Sequence, residues 1–284
     1  MPKPTLLLDK NYLQGSPASL IRELATTHTL LMPDVLFYEL ISSSEPGRSR
    51  CFAKFPPGEN PVVLLKHLGA LLKKEMDTHK ACGLPSKNVE DIRFQFHSGM
   101  SKLNYELPDE AALELKNQTA TLELEVAQYL RRAASIKILF SELAKATGVK
   151  RDTLREDVEA AIADFSLMRT FYASMASHPQ PASFTPPSVE LVSPKWACVR
   201  LMQVHLLFGI ELLYRFGTLN FPPAPTGRAY ERFEHDVLDA NYLIMGVLEG
   251  SLATHEKKLR RWFRLLCLDG RLYPDDGVRS NLSA

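Results

Sequence analysis

The chain has few cysteines, and none is placed for zinc binding or for a disulfide framework. Its 284 residues include only four, and these form no CxxC pair and have no histidine partner at zinc spacing. We therefore expect reduced, mostly buried thiols. An apolar content of 45% is ample for a packed core that needs no cross-links. The four cysteines are Cys51, Cys82, Cys198 and Cys267.

Long hydrophobic runs and an excess of charge are also missing. The apolar stretch before Asp9 contains only three leucines, which is too short for a signal peptide, and no later run approaches a membrane span. These patterns predict a soluble cytoplasmic protein that does not contact a membrane. The net charge is +1, so any binding to phosphates has to come from local basic patches.

Three common catalytic motifs are absent from the sequence. There is no phosphate-binding glycine loop, no GxSxG turn and no GxGxxG fingerprint. Their absence removes nucleoside triphosphatases, α/β hydrolases and classical dehydrogenases as first choices.

The N-terminal region alternates short apolar runs with segments of helical spacing. Residues 5–8 and 29–33 are typical of short buried strands, and residues 19–27 and 34–42 have the periodicity of helices, the second opened by Asp34. This βαβα order predicts a parallel sheet with right-handed crossovers.

The middle of the chain is predicted to be helical, and the end alternates again. Residues 62–80 repeat apolar side chains at helical intervals, and residues 108–175 are typical of two long helices. The remaining predicted elements are a strongly apolar helix at 196–216, a helix at 229–249, a strand at 251–254, a helix at 257–267 and a strand at 271–273. The pattern predicts an α/β core from both chain ends, residues 1–80 and 217–284, interrupted by a mostly helical insertion, residues 81–216.

Four acidic residues lie where buried elements are predicted to end. Asp9 follows the first strand, and the other three are Glu39, Asp239 and Glu256. The ends of strands are where an α/β sheet presents its chemistry. Carboxylates brought together in a partly dry cleft need a positive charge among them, and Mg²⁺ or Mn²⁺ is the usual one. The sequence therefore predicts a metal site that hydrolyses phosphodiester bonds.

Four short motifs together resemble the PIN-domain nucleases, a family that includes bacterial toxin ribonucleases and RNA-processing enzymes. Residues 7–13 (LLDKNYL) resemble the family's opening strand and Asp-x-Asn turn, and residues 32–40 (MPDVLFYEL) its second strand and Glu-bearing helix. Residues 239–244 (DANYLI) are similar to the helix with the third acid, and residues 250–259 (GSLATHEKKL) to the following strand and Thr-x-Asp turn. The resemblance implies a three-layer PIN-like fold, a parallel sheet flanked by helices, with a large helical insertion.

The resemblance also implies roles for individual residues. Asp9, Glu39 and Asp239 would ligate Mg²⁺ or Mn²⁺ directly or through water. Glu256 stands where the family usually has Asp, and its extra methylene matters because Mg²⁺ distances are tight, at about 2.0–2.1 Å. Asp236 lies one helical turn before Asp239 and could be an auxiliary ligand. Asn11 and Thr254 match positions that organise the acids by hydrogen bonds.

Each acid also has a purely structural interpretation. Asp9 could cap a turn that Asn11 stabilises, and Glu39 could lie on a solvated or salt-bridged helix face. Glu256 could cap the helix that follows it, since an acid favours the positive N-terminal end. Asp239 is the hardest to explain in this way, because it opens an apolar run and an unpaired buried carboxylate is costly.

A basic run begins beside Glu256 and is the candidate for RNA binding, since its side chains could reach the phosphates that flank a cleaved bond. A solvated helix face is the alternative for such a run. The residues assigned to RNA contact are Lys257, Lys258, Arg260 and Arg261.

The hypothesis is thus a metal-dependent endoribonuclease, toxin-like or RNA-processing. The alternative is a catalytically weakened PIN-like scaffold that serves as a protein-interaction module. RNA is preferred to other single-stranded nucleic acid through the resemblance alone. A protein inhibitor or complex partner bound by the insertion, and a homo-oligomer, are left open.

Overall fold

The computed structural model describes residues 2–58, 60–90, 98–102, 105–178, 185–216 and 227–275. The chain forms two compact units. The first contains both chain ends and comprises Met1–Leu71, Gly83–Gln118 and Met245–Ala284. The second comprises Leu72–Cys82 and Thr119–Ile244. The predicted boundaries at residues 80 and 217 stay predictions.

The strands lie in the first unit and are parallel. The strands β1 (Thr5–Leu7), β2 (Thr29–Met32) and β3 (Val63–Leu64) form one sheet in the order β1-β2-β3. The strands β4 (Ser251–Ala253) and β5 (Arg271–Tyr273) form a parallel pair. A parallel bridge between Leu8 and Ala253 connects β1 to β4. The predicted α/β class with a parallel sheet is therefore confirmed.

Twelve α-helices occur among the described residues. In chain order they are α1 (Lys10–Gly15), α2 (Ala18–Thr27), α3 (Asp34–Ser42), α4 (Gly47–Phe52), α5 (Leu68–Thr78), α6 (Asp109–Leu139), α7 (Ser141–Lys145), α8 (Gly148–Ala163), α9 (Phe165–Ala176), α10 (Ala197–Phe216), α11 (Arg228–Glu249) and α12 (Lys257–Leu266). Short 3₁₀ turns cover Pro85–Lys87 and Ser98–Ser101.

The core of the first unit is centred on β1, where Leu6, Leu7 and, directly after the strand, Leu8 are fully buried. Neighbouring side chains of a strand point to opposite faces, so burial of all three means that both faces of β1 are covered. The step from α11 to β4 passes through Gly250, whose φ of +77° is the left-handed conformation that glycine adopts without strain.

Two predictions of secondary structure are corrected. Residues 62–80 are not one helix, because Val63 and Leu64 pair with β2 and α5 begins only at Leu68. The β-branched Val62 and Val63 favour the extended backbone there. Residues 108–175 contain four helices instead of two, since the chain breaks at Phe140, at residues 146–147 and at Asp164, which caps α9. The helix α8 begins directly after the second break, at Gly148, whose φ is +55°.

The second unit is helical, and its α10 is strongly apolar. The segment Ala197–Arg215 is the one helix in the described part of the chain that is long and apolar enough to cross a membrane, although the sequence predicts no such run. Of this segment, 61% is buried inside the structure, as in the core helix of a soluble protein.

A buried carboxylate fixes the start of α10 within this unit. Glu75 is fully buried and accepts hydrogen bonds from the backbone N–H groups of Cys82 at 3.1 Å, Ala197 at 2.6 Å and Cys198 at 3.0 Å. Burial, followed by the nearby Glu75 carboxylate, raises the pKa of the Cys82 and Cys198 thiols to about 12. All four cysteines are free thiols, as the sequence predicts, and Cys51 and Cys82 are buried.

Candidate functional site

The carboxylate of Asp9 lies at the carboxyl end of β1 and is only 3% exposed. Asp9 is the N-cap of α1, and its Oδ1 accepts a hydrogen bond from the backbone N–H of Asn11 at 3.0 Å. Its Oδ2 accepts a hydrogen bond from the hydroxyl of Thr254 at 2.5 Å. The two predicted organising residues therefore both contact Asp9, Thr254 through its side chain and Asn11 through its backbone.

Thr254 connects Asp9 to Glu256. Thr254 is fully buried at the end of β4, and its Oγ1 accepts a hydrogen bond from the backbone N–H of Glu256 at 3.0 Å while donating to Asp9. Glu256 is the N-cap residue of α12, but its side chain makes no capping hydrogen bond. The structure thus brings Asp9, Thr254 and Glu256 together at the carboxyl ends of β1 and β4.

Glu39 lies on α3, is 6% exposed, and forms an ion pair with Lys10. The Nζ of Lys10 is 3.2 Å from Oε1 of Glu39, and the Lys10 side chain is 22% exposed. An ammonium group beside a buried carboxylate offsets the cost of removing that carboxylate from water. Sequence reasoning did not select Lys10. The feature of the sequence that could have indicated it is its position directly after Asp9.

The other two predicted acids lie on α11 in the part assigned to the second unit. Asp236 is buried, and both of its oxygens accept hydrogen bonds from Arg215, at 2.8 and 2.7 Å. Asp239 is half-buried. Burial, and then the carboxylate of Asp236, raises the pKa of Tyr129 well above its usual value, with a smaller contribution from Asp239. Asp236 is therefore held by an arginine, which is the arrangement of a structural ion pair.

A cluster of four acids is not found in the described part of the chain. Within those residues no group of three or more His, Cys, Asp or Glu side chains is close enough to hold a metal ion. Mg²⁺, however, is commonly bound by one or two carboxylates together with waters and substrate phosphates. Asp9 and Glu39 offer buried carboxylate oxygens of the type that Mg²⁺ prefers. In this structure Oε1 of Glu39 is paired with the Lys10 ammonium.

Lys54 holds the C-terminal end of α1. The ammonium of Lys54 donates hydrogen bonds to the carbonyls of Leu13 and Gln14 at 2.7 Å and of Ser16 at 2.8 Å, at the C-terminal end of α1. A cation there satisfies free carbonyls and the negative end of the helix dipole. Lys54 was not predicted, and its long-range contacts leave no local pattern in the sequence.

Arg260 has a structural role that the sequence did not predict. Its guanidinium donates hydrogen bonds to the carbonyls of Thr254 and Tyr273 at 3.0 Å and of Pro274 at 2.7 Å. These carbonyls lie at the ends of β4 and β5. The predicted contact of Arg260 with RNA therefore competes with bonds that hold the sheet together.

The outer face of α12 carries the basic side chains that point to solvent. Lys257, Arg261 and Arg264 are exposed, whereas Leu259 and Trp262 on the opposite face are buried. Lys258 is half-buried beside this face. The exposed guanidinium of Arg261 also lies over the ring of Trp262, 5.7 Å from its centroid.

His255 lies next to the acids and packs on α1. Its ring centroid is 4.9 Å from that of Tyr12, and its Nε2 lies 3.4 Å from the hydroxyl of Ser16. Burial, and then the charge of Arg260, lowers the pKa of His255 below its usual value. The neutral ring is therefore favoured, and His255 adds no positive charge to the site near neutral pH.

Comparison with protein-family models found no match to this chain, and comparisons with curated proteins and with solved structures found none either.

Proposed function

We propose that this protein is a PIN-like, metal-dependent endoribonuclease whose acidic site lies in the first unit. The observation that supports it most is the pair of buried carboxylates, Asp9 and Glu39, which follow the neighbouring parallel strands β1 and β2. Carboxylates are costly to bury. Asp9 lies at the carboxyl end of a parallel strand, where α/β proteins bind their ligands, and Glu39 lies on α3, the helix that follows the neighbouring strand.

In this proposal Asp9 and Glu39 hold Mg²⁺ or Mn²⁺. The bound ion would supply Lewis-acid polarisation of the phosphoryl oxygens and an activated water. Thr254 orients the Asp9 carboxylate through its hydroxyl, and the oxygen of that hydroxyl accepts a hydrogen bond from the backbone N–H of Glu256. Such outer hydrogen bonds typically set the orientation of metal ligands.

Other parts of the hypothesis also enter the proposal. The division of the chain at residues 80 and 217 and the cytoplasmic location come from the sequence pattern, whereas the three-layer PIN-like architecture and RNA as the substrate come from the resemblance. The role implied for Asp239 belongs here too. The spacing-based role of Asp236 has less support, because Arg215 already neutralises that carboxylate.

Cleavage of labelled single-stranded RNA with added Mg²⁺ or Mn²⁺ tests the proposal. Asp9→Asn and Glu39→Gln should each lower the rate at least about a hundredfold, because even outer partners of metal ligands account for about 10- to 100-fold. Asp77→Asn is the matched control, since Asp77 is an exposed acid paired with Lys73 at 2.8 Å. Asp239→Asn, Asp236→Asn and Glu256→Gln test the three remaining acids in the same assay.

Circular dichroism and thermal melting of each variant show whether the fold is kept. The nuclease proposal fails if the folded wild-type protein cleaves no RNA with either ion. It also fails if Asp9→Asn and Glu39→Gln leave the rate at the level of Asp77→Asn.

The outer face of α12 is proposed to bind the RNA backbone. Replacing Lys257, Arg261 and Arg264 together by Ala should weaken RNA binding and lower the slope of log affinity against log salt by about 2, since each phosphate contact contributes about 0.7 on single strands. The matched control replaces three exposed lysines of the second unit, Lys145, Lys150 and Lys195. Equal losses in both triple variants would show that only net charge matters.

A catalytically weakened scaffold is the second candidate. It is favoured by the ion pair of Lys10 with Glu39 and by the lack of a three-acid group among the described residues. On this hypothesis no divalent ion supports cleavage, and the helical insertion binds a protein partner or inhibitor. The cleavage assay separates the two candidates.

A further inference from the structure

We propose that Lys10 is a built-in counter-cation of the acidic site, which a divalent ion has to displace from Glu39. The proposal rests on the proposed function in one respect, that Glu39 is a metal ligand. It adds a regulatory element, because the affinity for metal would then be set by a residue that is not itself a ligand.

The first step of the argument is electrostatic. Glu39 is 6% exposed, and its Oε1 is 3.2 Å from the Nζ of Lys10. The pair lets this carboxylate remain charged inside the protein without a metal ion. A divalent ion bound at Glu39 would face the ammonium at close range, and like charges at that distance repel strongly where water is scarce. Ion and ammonium therefore compete for one carboxylate.

The second step concerns why the ammonium lies there. Lys10 is the first residue of α1, directly after Asp9, whose carboxylate caps the helix through the N–H of Asn11. Lys54 holds the opposite end of α1 through three carbonyls. The short helix α1 is thus held at both ends, which fixes the backbone of Lys10. The side chain of Lys10 is directed to Glu39 on α3.

The third step is that the ammonium has a way out. The side chain of Lys10 is 22% exposed, compared with 7% for that of Glu39. A long, flexible side chain at partial exposure can move its charged end into water without unfolding the helix. Lys10 is therefore suited to leave the site when a divalent ion arrives and to return when the ion leaves.

Binding of Mn²⁺ alone to the full chain, followed by the electron paramagnetic resonance signal of the free ion, tests this competition. Lys10→Met keeps the length and apolar stem of the side chain but removes the charge, and it should bind Mn²⁺ about tenfold more tightly than the wild type, equivalent to about 1.4 kcal/mol. Lys10→Arg keeps the charge and should stay close to the wild type.

A second measurement uses the wild-type protein and needs no variant to fold. Acylation of lysines by a hydroxysuccinimide ester, read by mass spectrometry, should be slow at Lys10 without metal and several-fold faster with saturating Mn²⁺. Lys54 is the internal control, because its ammonium is held by three carbonyls and should react slowly in both conditions.

The outcomes separate this proposal from the proposed function. If wild type and Lys10→Met bind Mn²⁺ equally, or if bound Mn²⁺ leaves acylation of Lys10 unchanged, the counter-cation proposal is wrong and the metal site stands. If neither protein binds Mn²⁺, both proposals are wrong. Tighter binding by Lys10→Met together with Mn²⁺-dependent acylation of Lys10 supports both.

Discussion

Replacing Thr254 by Val should destabilise the first unit by about 2–4 kcal/mol. Valine keeps the shape of threonine but removes the hydroxyl, which donates to Asp9 at 2.5 Å and accepts from the N–H of Glu256 at 3.0 Å. A hydrogen bond to a charged group contributes about 1.5–3 kcal/mol, and a buried N–H left without an acceptor costs about 1–3 kcal/mol. The lower part of the second range applies, because Glu256 is only half-buried.

Thr254→Ser is the matched control for this prediction. Serine keeps the hydroxyl and loses one buried methyl group, which costs about 1 kcal/mol. The expected order of stability is therefore wild type, Thr254→Ser, Thr254→Val. A hydrophobic role for Thr254 would give the reverse order of the two variants.

Urea unfolding followed by tryptophan fluorescence measures the difference. The chain has two tryptophans; Trp262 belongs to the first unit and Trp196 to the second. In a Trp196→Phe background, the signal reports Trp262 and hence the unit that contains Thr254. A change below about 0.5 kcal/mol for Thr254→Val, the usual limit for surface substitutions, would refute the role assigned to its hydroxyl.

Three further predictions concern Glu75, Lys54 and His28. Glu75→Gln should destabilise the second unit by about 2–4 kcal/mol, because three backbone N–H groups lose a charged acceptor. The Glu75 carboxylate raises the pKa of Cys82 and Cys198, so its removal should also speed native-state alkylation of both thiols. Unchanged urea midpoints and labelling rates would contradict this prediction. Lys54→Met should lower the free energy of unfolding by about 1–3 kcal/mol, because the carbonyls at the end of α1 lose their donor. The control is Lys145→Met, which replaces an exposed lysine. Equal stability of the two variants would contradict this prediction. Burial is the main cause that lowers the pKa of His28 below 6.5, so the contribution of His28 to stability is fully present above pH 6.5 and is lost as the pH falls from 6.5 through the folded pKa. In His28→Gln, the free energy of unfolding in urea should therefore change less between pH 7 and pH 5 than in the wild type. An unchanged pH dependence would contradict this prediction.

The sequence predicts the fold best where periodicity is local and strong. Several elements were predicted near their observed positions, because patterns such as the apolar run Leu6–Leu8 and the helical periodicity of α12 depend on nearby residues only. These elements are β1, β2, β4, β5, α3 and α12. The helix α1 was predicted only as a turn. It has six residues, and what makes it a helix is the Asp9 cap and the Lys54 contact 38 to 41 residues away.

The residues of the candidate site were predicted less completely than the fold. The motif around Asp9 and Thr254 indicated that they belong together, and the structure joins them by a hydrogen bond across 245 positions. The partners of the acids had no such signal. Lys10 reaches Glu39 across 29 positions and Arg215 reaches Asp236 across 21, so neither pair lies on one helix where spacing would show it.

The basic residues show most clearly what a sequence run conceals. Residues 257–264 look like one phosphate-binding patch, but helical geometry divides them. Lys257, Arg261 and Arg264 are four and three positions apart and share the exposed face of α12, whereas Arg260 turns toward β4 and β5 and donates to three carbonyls there.

Several cationic side chains of the first unit are bonded to other groups of the protein. Lys10 neutralises Glu39, Lys54 holds the end of α1, and Arg260 joins the ends of two strands. With a net charge of only +1, the chain as a whole attracts nucleic acid weakly, and the charges committed to internal bonds add little. The proposed binding of RNA would therefore depend on the outer face of α12. If that face proves dispensable, the basic run of residues 257–264 is a solvated helix surface joined to a structural arginine, and the scaffold hypothesis becomes the better explanation of the site.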